Sequence, residues 1–180
     1  DLKEVLDKLR ELVREVTERI KRTIEEIERL LRKVEREMRE TIRTDEELLK
    51  TVVDELRRKN ADERLLRTVT EASKTSIKLN EDLMREVERA VREVIRINEE
   101  LLRRVREVAK RVLEIIKNST DRRKIKKVLD DLRKIIEDIE RESRESLERL
   151  REIIERLKRR SDKTLKDSKK VIDDIRRRTK

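Results

Sequence analysis

The sequence predicts an all-α fold: a straight, antiparallel up-down-up three-helix bundle of very long helices. Three observations predict it. The 180 residues contain no Gly, Pro, Phe, Tyr or Trp, while 54 % are charged, so the chain consists largely of helix formers with few ways to end a helix. The apolar residues recur in steps of three and four, as one face of a helix requires, and their phase returns every eighteen residues. Only two short segments, near Asn60 and Asn118, carry convincing stop signals.

The first helix is expected over about residues 1–59. Leu2, Ile20, Met38 and Leu56 lie eighteen apart, as do Leu12, Leu30 and Leu48. Eighteen residues are five turns at 3.6 residues per turn, so the pattern lacks the drift that makes heptad repeats supercoil. Thr44-Asp45-Glu46-Glu47 has the form of a capping box and could begin a new helix. The eighteen-residue phase nevertheless runs through it without a slip, and one continuous helix is expected.

The first stop is Lys59-Asn60-Ala61-Asp62. Asn60 can adopt the left-handed conformation that closes a helix, and Asp62 can cap the next one. The second helix then covers about 62–118. The second stop, Lys117-Asn118-Ser119-Thr120, is read the same way, with Thr120 as the cap, and the third helix covers about 121–179. Connections this short join antiparallel neighbours, and the whole chain, 1–180, is expected to be one bundle. Projected on a helical wheel, the core positions of the outer helices occupy about seven of eighteen directions. Those of the middle helix occupy nine, adding rows such as Leu79, Ile97, Ile115 and Ala72, Ala90, Val108. The middle helix is expected to be the most buried.

Composition also excludes function classes. Without Cys there is no disulfide or thiolate chemistry, and without His the commonest general base and metal ligand is missing. Apolar residues never run beyond two in succession, so neither a membrane span nor a signal-peptide core is present. The expected protein is soluble, with no natural address beyond the cytoplasm of an expression host. The net charge of +10 is concentrated in Arg156–Lys180. Interleaved acids (Asp162, Asp167, Asp173, Asp174) and the lack of aromatic stacking platforms argue for a solvated face over a nucleic-acid surface.

The most informative residues are polar ones on apolar rows. Asn80 and Asn98 sit in equivalent cassettes, Leu79-Asn80-Glu81-Asp82-Leu83 and Ile97-Asn98-Glu99-Glu100-Leu101. On the first helix Thr23 and Thr41 continue the row of Val5, and on the third Ser143 and Ser161 continue the row of Ile125. Pairing through the first loop makes partner numbers sum to about 121, and pairing through the second to about 240. Thr41, Asn80 and Ser161 then share one level, and Thr23, Asn98 and Ser143 another, roughly 27 Å away. These are read as hydrogen-bond layers that select register, because a shifted helix would separate each amide from its hydroxyls. A further polar patch comprises Asp45, Ser73, Ser76, Thr164 and Ser168, with Asp45 near the centre of the first helix's buried face. With no second buried carboxylate in view, no catalytic, metal-binding or cofactor-binding residue is assigned.

On these features the chain resembles de novo designed helical bundles with buried hydrogen-bond networks, a class that includes designed homo-oligomers and cage-and-latch switches. The resemblance rests on the Asn80 and Asn98 cassettes, their Thr and Ser partners, the Ser119-Thr120-Asp121 loop and the Glu/Lys/Arg surfaces, and it covers the whole chain. It implies a structural scaffold that is not an enzyme and needs no cofactor or natural ligand. The alternative is a component of a designed homo-oligomer or helix-partner assembly built around the middle helix. No partner is required on the first reading, and neither nucleic acid nor membrane is expected on either.

Overall fold

The computed structural model describes residues 2–179. They form an all-α three-helix bundle in which every helix packs on both others. The helices are α1 (Leu2–Arg58), α2 (Glu63–Lys117) and α3 (Arg122–Arg178). α1 passes through the Thr44-Asp45 capping box without interruption; the Thr44 hydroxyl instead donates to the Glu40 carbonyl of its own helix, 3.0 Å away.

The two connections close differently. α1 ends in a Schellman turn: the Ala61 N–H reaches the Leu56 carbonyl at 3.0 Å and the Asn60 N–H reaches the Arg57 carbonyl at 3.1 Å. That geometry requires a left-handed residue, and Asn60 supplies it with φ of 52°. Ala61 then packs on the cluster containing Leu56. Asp62 caps α2 as its chemistry indicates, its Oδ1 accepting the Arg64 N–H at 3.1 Å.

The second connection corrects the sequence reading. Among the described residues Asn60 is the one non-glycine position with positive φ, so Asn118 does not repeat its role. The cap of α3 is Asp121 rather than Thr120: Asp121 Oδ1 accepts the Arg123 N–H at 3.0 Å, and the Asp121 N–H donates to Ser119 Oγ at 3.3 Å. An ionised carboxylate is the better acceptor at the positive end of a helix, which favours Asp121 over its neighbour's hydroxyl.

Tertiary contacts group the chain into two compact units. One comprises Asp1–Arg29 with Val91–Arg151, the other Leu30–Ala90 with Glu152–Lys180. In the first, Leu9, Val16 and Ile20 of α1 meet Leu101, Val105 and Ile116 of α2 and Leu132, Ile136 and Ile139 of α3. In the second, one cluster joins Val52 and Leu56 to Val69 and to Ile172 and Ile175. Burying each such side chain contributes about 1.5–3 kcal/mol relative to exposure, which is why the eighteen-residue rows dictate which face turns inward. Within each unit α1 and α3 run parallel. Arg19 pairs with Glu140 at 2.9 Å in the first, and Lys158 with Glu37 at 2.7 Å and Arg176 with Glu55 at 2.8 Å in the second.

The Schellman turn yields a test. Replacing Asn60 by Val should cost about 1–2 kcal/mol, because a β-branched residue pays the full penalty of the left-handed conformation, whereas Asn60→Gly should match or exceed the parent. Urea unfolding of the two variants measures this; equal loss in both would mean that the turn is not held by its φ.

Candidate functional site

The first unit holds one polar layer, centred on Asn98. Its row is otherwise occupied by core side chains such as Ile116, so helix formation alone carries the amide inward, where it is fully buried. Its Oδ1 accepts from the Ser143 hydroxyl at 2.6 Å, and its Nδ2 donates to the Val94 carbonyl at 2.9 Å and to Ser146 Oγ at 3.0 Å. Ser146 in turn donates to the Ser143 carbonyl at 2.6 Å. Both amide protons and the carbonyl oxygen therefore have partners. Thr23, assigned to this level from sequence, is half-buried and donates to the Arg19 carbonyl of its own helix at 3.1 Å. The layer thus joins α2 to α3 and takes nothing from α1.

The second unit holds a longer network. Ser161 of α3 donates to Asn80 Oδ1, and Asn80 Nδ2 donates to the Ser76 carbonyl at 2.9 Å. The Ser76 hydroxyl donates to Asp45 Oδ2 of α1 at 2.5 Å. This series of bonds touches all three helices. Its α1 member is Asp45 and not Thr41, whose hydroxyl donates to the Glu37 carbonyl at 3.1 Å. Both threonine assignments fail for one physical reason: a threonine hydroxyl in a helix has the carbonyl four residues back within reach, and the local bond is formed first.

The wider polar patch divides in the same way. Asp45, Ser73, Ser76 and Ser168 are buried, whereas Thr164 is half-buried and bonds the Arg160 carbonyl at 2.8 Å. Asp45 Oδ1, Ser73 Oγ and Ser168 Oγ are buried without a hydrogen-bond partner. Burial pushes the Asp45 carboxyl above its usual range, against the opposing effects of the Ser76 hydrogen bond and of Lys169. At the surface the reverse case occurs: the Arg176 guanidinium bonded to Glu55 holds that carboxyl below its usual range.

Register follows from these bonds. Asp45 and Ser76 have numbers summing to 121, and Asn98 with Ser143 and Asn80 with Ser161 both sum to 241, one residue from the sequence-based pairing. Ser146 was missed, although its signal was present: it lies eighteen residues after Val128 and eighteen before Thr164, on a row at the edge of the buried face.

Among the described residues no group of three or more His, Cys, Asp or Glu side chains is placed to hold a metal ion, and no helix is long and apolar enough to cross a membrane. No protein-family model matches the chain, and neither curated proteins nor solved structures give a significant match.

The raised carboxyl of Asp45 makes a pH prediction. Stability tied to a raised acid is fully present below its unfolded value, near 3.8, and is lost as pH rises through the folded value. Asp45→Asn keeps an acceptor for Ser76 and removes the charge, so near neutral pH it should be more stable than the parent by on the order of 1 kcal/mol. The gap should narrow as the solution is acidified through the raised folded value and close below the unfolded value near 3.8. Surface carboxylates such as Glu55 titrate alike in both proteins and cancel from the difference. Urea unfolding across that range measures it, and a pH-independent gap would show that the Asp45 carboxyl titrates alike in the folded and unfolded chain, so that burial does not raise it.

Proposed function

We propose that the chain is a designed structural scaffold with no natural biochemical activity, whose buried amide and hydroxyl layers specify how its helices align. The observation that supports this is the pair Asn80 and Asn98. They occupy one helical row eighteen residues apart, and each carbonyl oxygen accepts from a serine of α3 at the same register. In a core where rows repeat every eighteen residues, sliding one helix by a full repeat restores most hydrophobic contacts. It restores at most one of the two Asn–Ser pairings: the other asparagine and serine are each left opposite a different row, with buried groups unpaired at about 1–3 kcal/mol each. Two such layers penalise the slide where apolar packing does not. Buried polar groups elsewhere serve the same purpose in coiled coils, where a single asparagine fixes register at some cost in stability.

The scaffold reading also accounts for the remaining chemistry. Some acidic side chains outside the core engage in surface ion pairs such as Arg141–Asp138 at 2.5 Å and Arg85–Asp82 at 2.7 Å, one turn apart on their helices, which is a solvated helix face and not a reactive cluster.

The experiment is the double variant Asn80→Leu/Asn98→Leu. It should melt at or above the parent temperature while losing a single alignment, read as several interhelical distances between spin labels on α2 and α3 where the parent gives one. A variant that unfolds, or one that keeps a single narrow distance, would remove the register role.

A further inference from the structure

At one end of the first unit, a groove of about 480 Å³ runs between α1 and α2. Its floor is apolar, made by Leu6, Leu9 and Val13 of α1 and Ala109 and Leu113 of α2. Its rim is entirely cationic: Arg10, Arg14, Arg106, Lys110 and Lys117 line it, and no carboxylate does. All five cations are exposed, and none forms an ion pair or a side-chain hydrogen bond with a described residue. Another groove of the same unit is charge-balanced. Bounded by Arg151, it also carries Glu26 and Glu148, both paired with that arginine.

The rim is a local departure from the repeat. One eighteen-residue step away, the positions equivalent to Arg10, Arg106 and Lys117 hold Glu28, Glu88 and Glu99. A neighbouring groove between the ends of α1 and α3 extends the same field, with Lys8, Lys117, Arg122 and Lys126 around a floor that includes Val5 and Ile125. Unpaired like charges gathered beside half-buried apolar side chains carry a repulsion that an anionic occupant would relieve.

We infer that the α1/α2 groove is a docking site for an acidic amphipathic helix of another chain. The shape suits a helix. The lining spans about 12 Å along α1 and about 16 Å along α2, enough for apolar anchors spaced i, i+3 or i+4, and i+7. Arg106 and Lys110 stand one turn apart and match carboxylates one turn apart on the incoming helix. Charge excludes a second copy of this chain in two-fold pairing, since the same five cations would face themselves. The inference does not depend on the role of the polar layers, which lie elsewhere in the core.

The test uses the full chain and a fluorescein-labelled peptide of about 21 residues with Leu at the anchor positions, Glu flanking them and Ala elsewhere, followed by fluorescence anisotropy at roughly 50 mM salt. Saturable binding is expected. It should weaken at least about tenfold when Arg10→Glu, Arg14→Glu and Lys110→Glu are combined, and should vanish for a peptide with Lys in place of Glu or Ser in place of Leu. Reversing Lys163, Lys166 and Lys170 to Glu, in the other unit, should leave it unchanged. Circular dichroism checks that the groove variant stays helical; if it does not, the Arg10→Gln/Arg14→Gln/Lys110→Gln variant serves, with a smaller expected loss of about threefold or more. The site is overturned by any of four results. These are no saturable binding, binding indifferent to the groove substitutions, equal weakening by the distant lysines, or equal binding of the Ser peptide, which would mean attraction by net charge alone.

Discussion

A buried carboxamide that has given up water must find partners for two protons and a carbonyl oxygen, and in this chain it finds them partly on its own helix and partly on one other. Asn98 meets that demand completely, through Ser143, Ser146 and the Val94 carbonyl. Everything else about the core is permissive. Leu, Ile and Val packed in eighteen-residue rows supply the free energy of folding without distinguishing one repeat from the next. On the proposed reading the division of labour is between many interchangeable apolar contacts and a few polar ones that favour one alignment.

The two units use this device differently. Around Asn98 every amide group is matched. Around Asn80 the bonds continue through Ser76 to Asp45, and there the matching is incomplete, with one carboxylate oxygen and the Ser73 and Ser168 hydroxyls unpaired. A network that spans all three helices gains an address on α1 that the first layer lacks, at the cost of a buried acid whose ionisation opposes folding. Surface charge follows its own division: ion pairs between and along the helices, and an unpaired basic rim around the α1/α2 groove.

Much of this was legible in the sequence because helical phase is arithmetic. The row Ile20, Met38, Leu56 is buried as its spacing requires, and it fails only at Leu2, which lies near the chain end and is 52 % exposed. The burial of Asn80, Asn98, Ser143, Ser161 and Asp45 followed from the same rows. What the phase could not decide was the direction of a hydroxyl. Thr23 and Thr41 sit on the right face at the right level, yet a helical threonine can always turn to its own backbone, and no spacing rule says which bond it takes. Position Asp121 against Thr120 at the second cap was likewise a contest between adjacent acceptors, settled by where α3 begins. The basic groove was invisible for another reason. Its cations come from two helices nearly a hundred residues apart in sequence, and counting charge by segments averages them with the acids on the opposite faces.

The claim that sealed amides fix the alignment is tested most directly at the amides themselves. Solvent exchange of the Nδ2 protons of Asn80 and Asn98 can be followed by nitrogen-edited nuclear magnetic resonance of the full chain in heavy water. Buried, hydrogen-bonded protons should exchange as slowly as the backbone amides of the surrounding core, slowest at Asn98 where both are held. Exchange at the rate of an exposed asparagine would contradict the account, because an amide that solvent reaches freely imposes no penalty on a shifted helix.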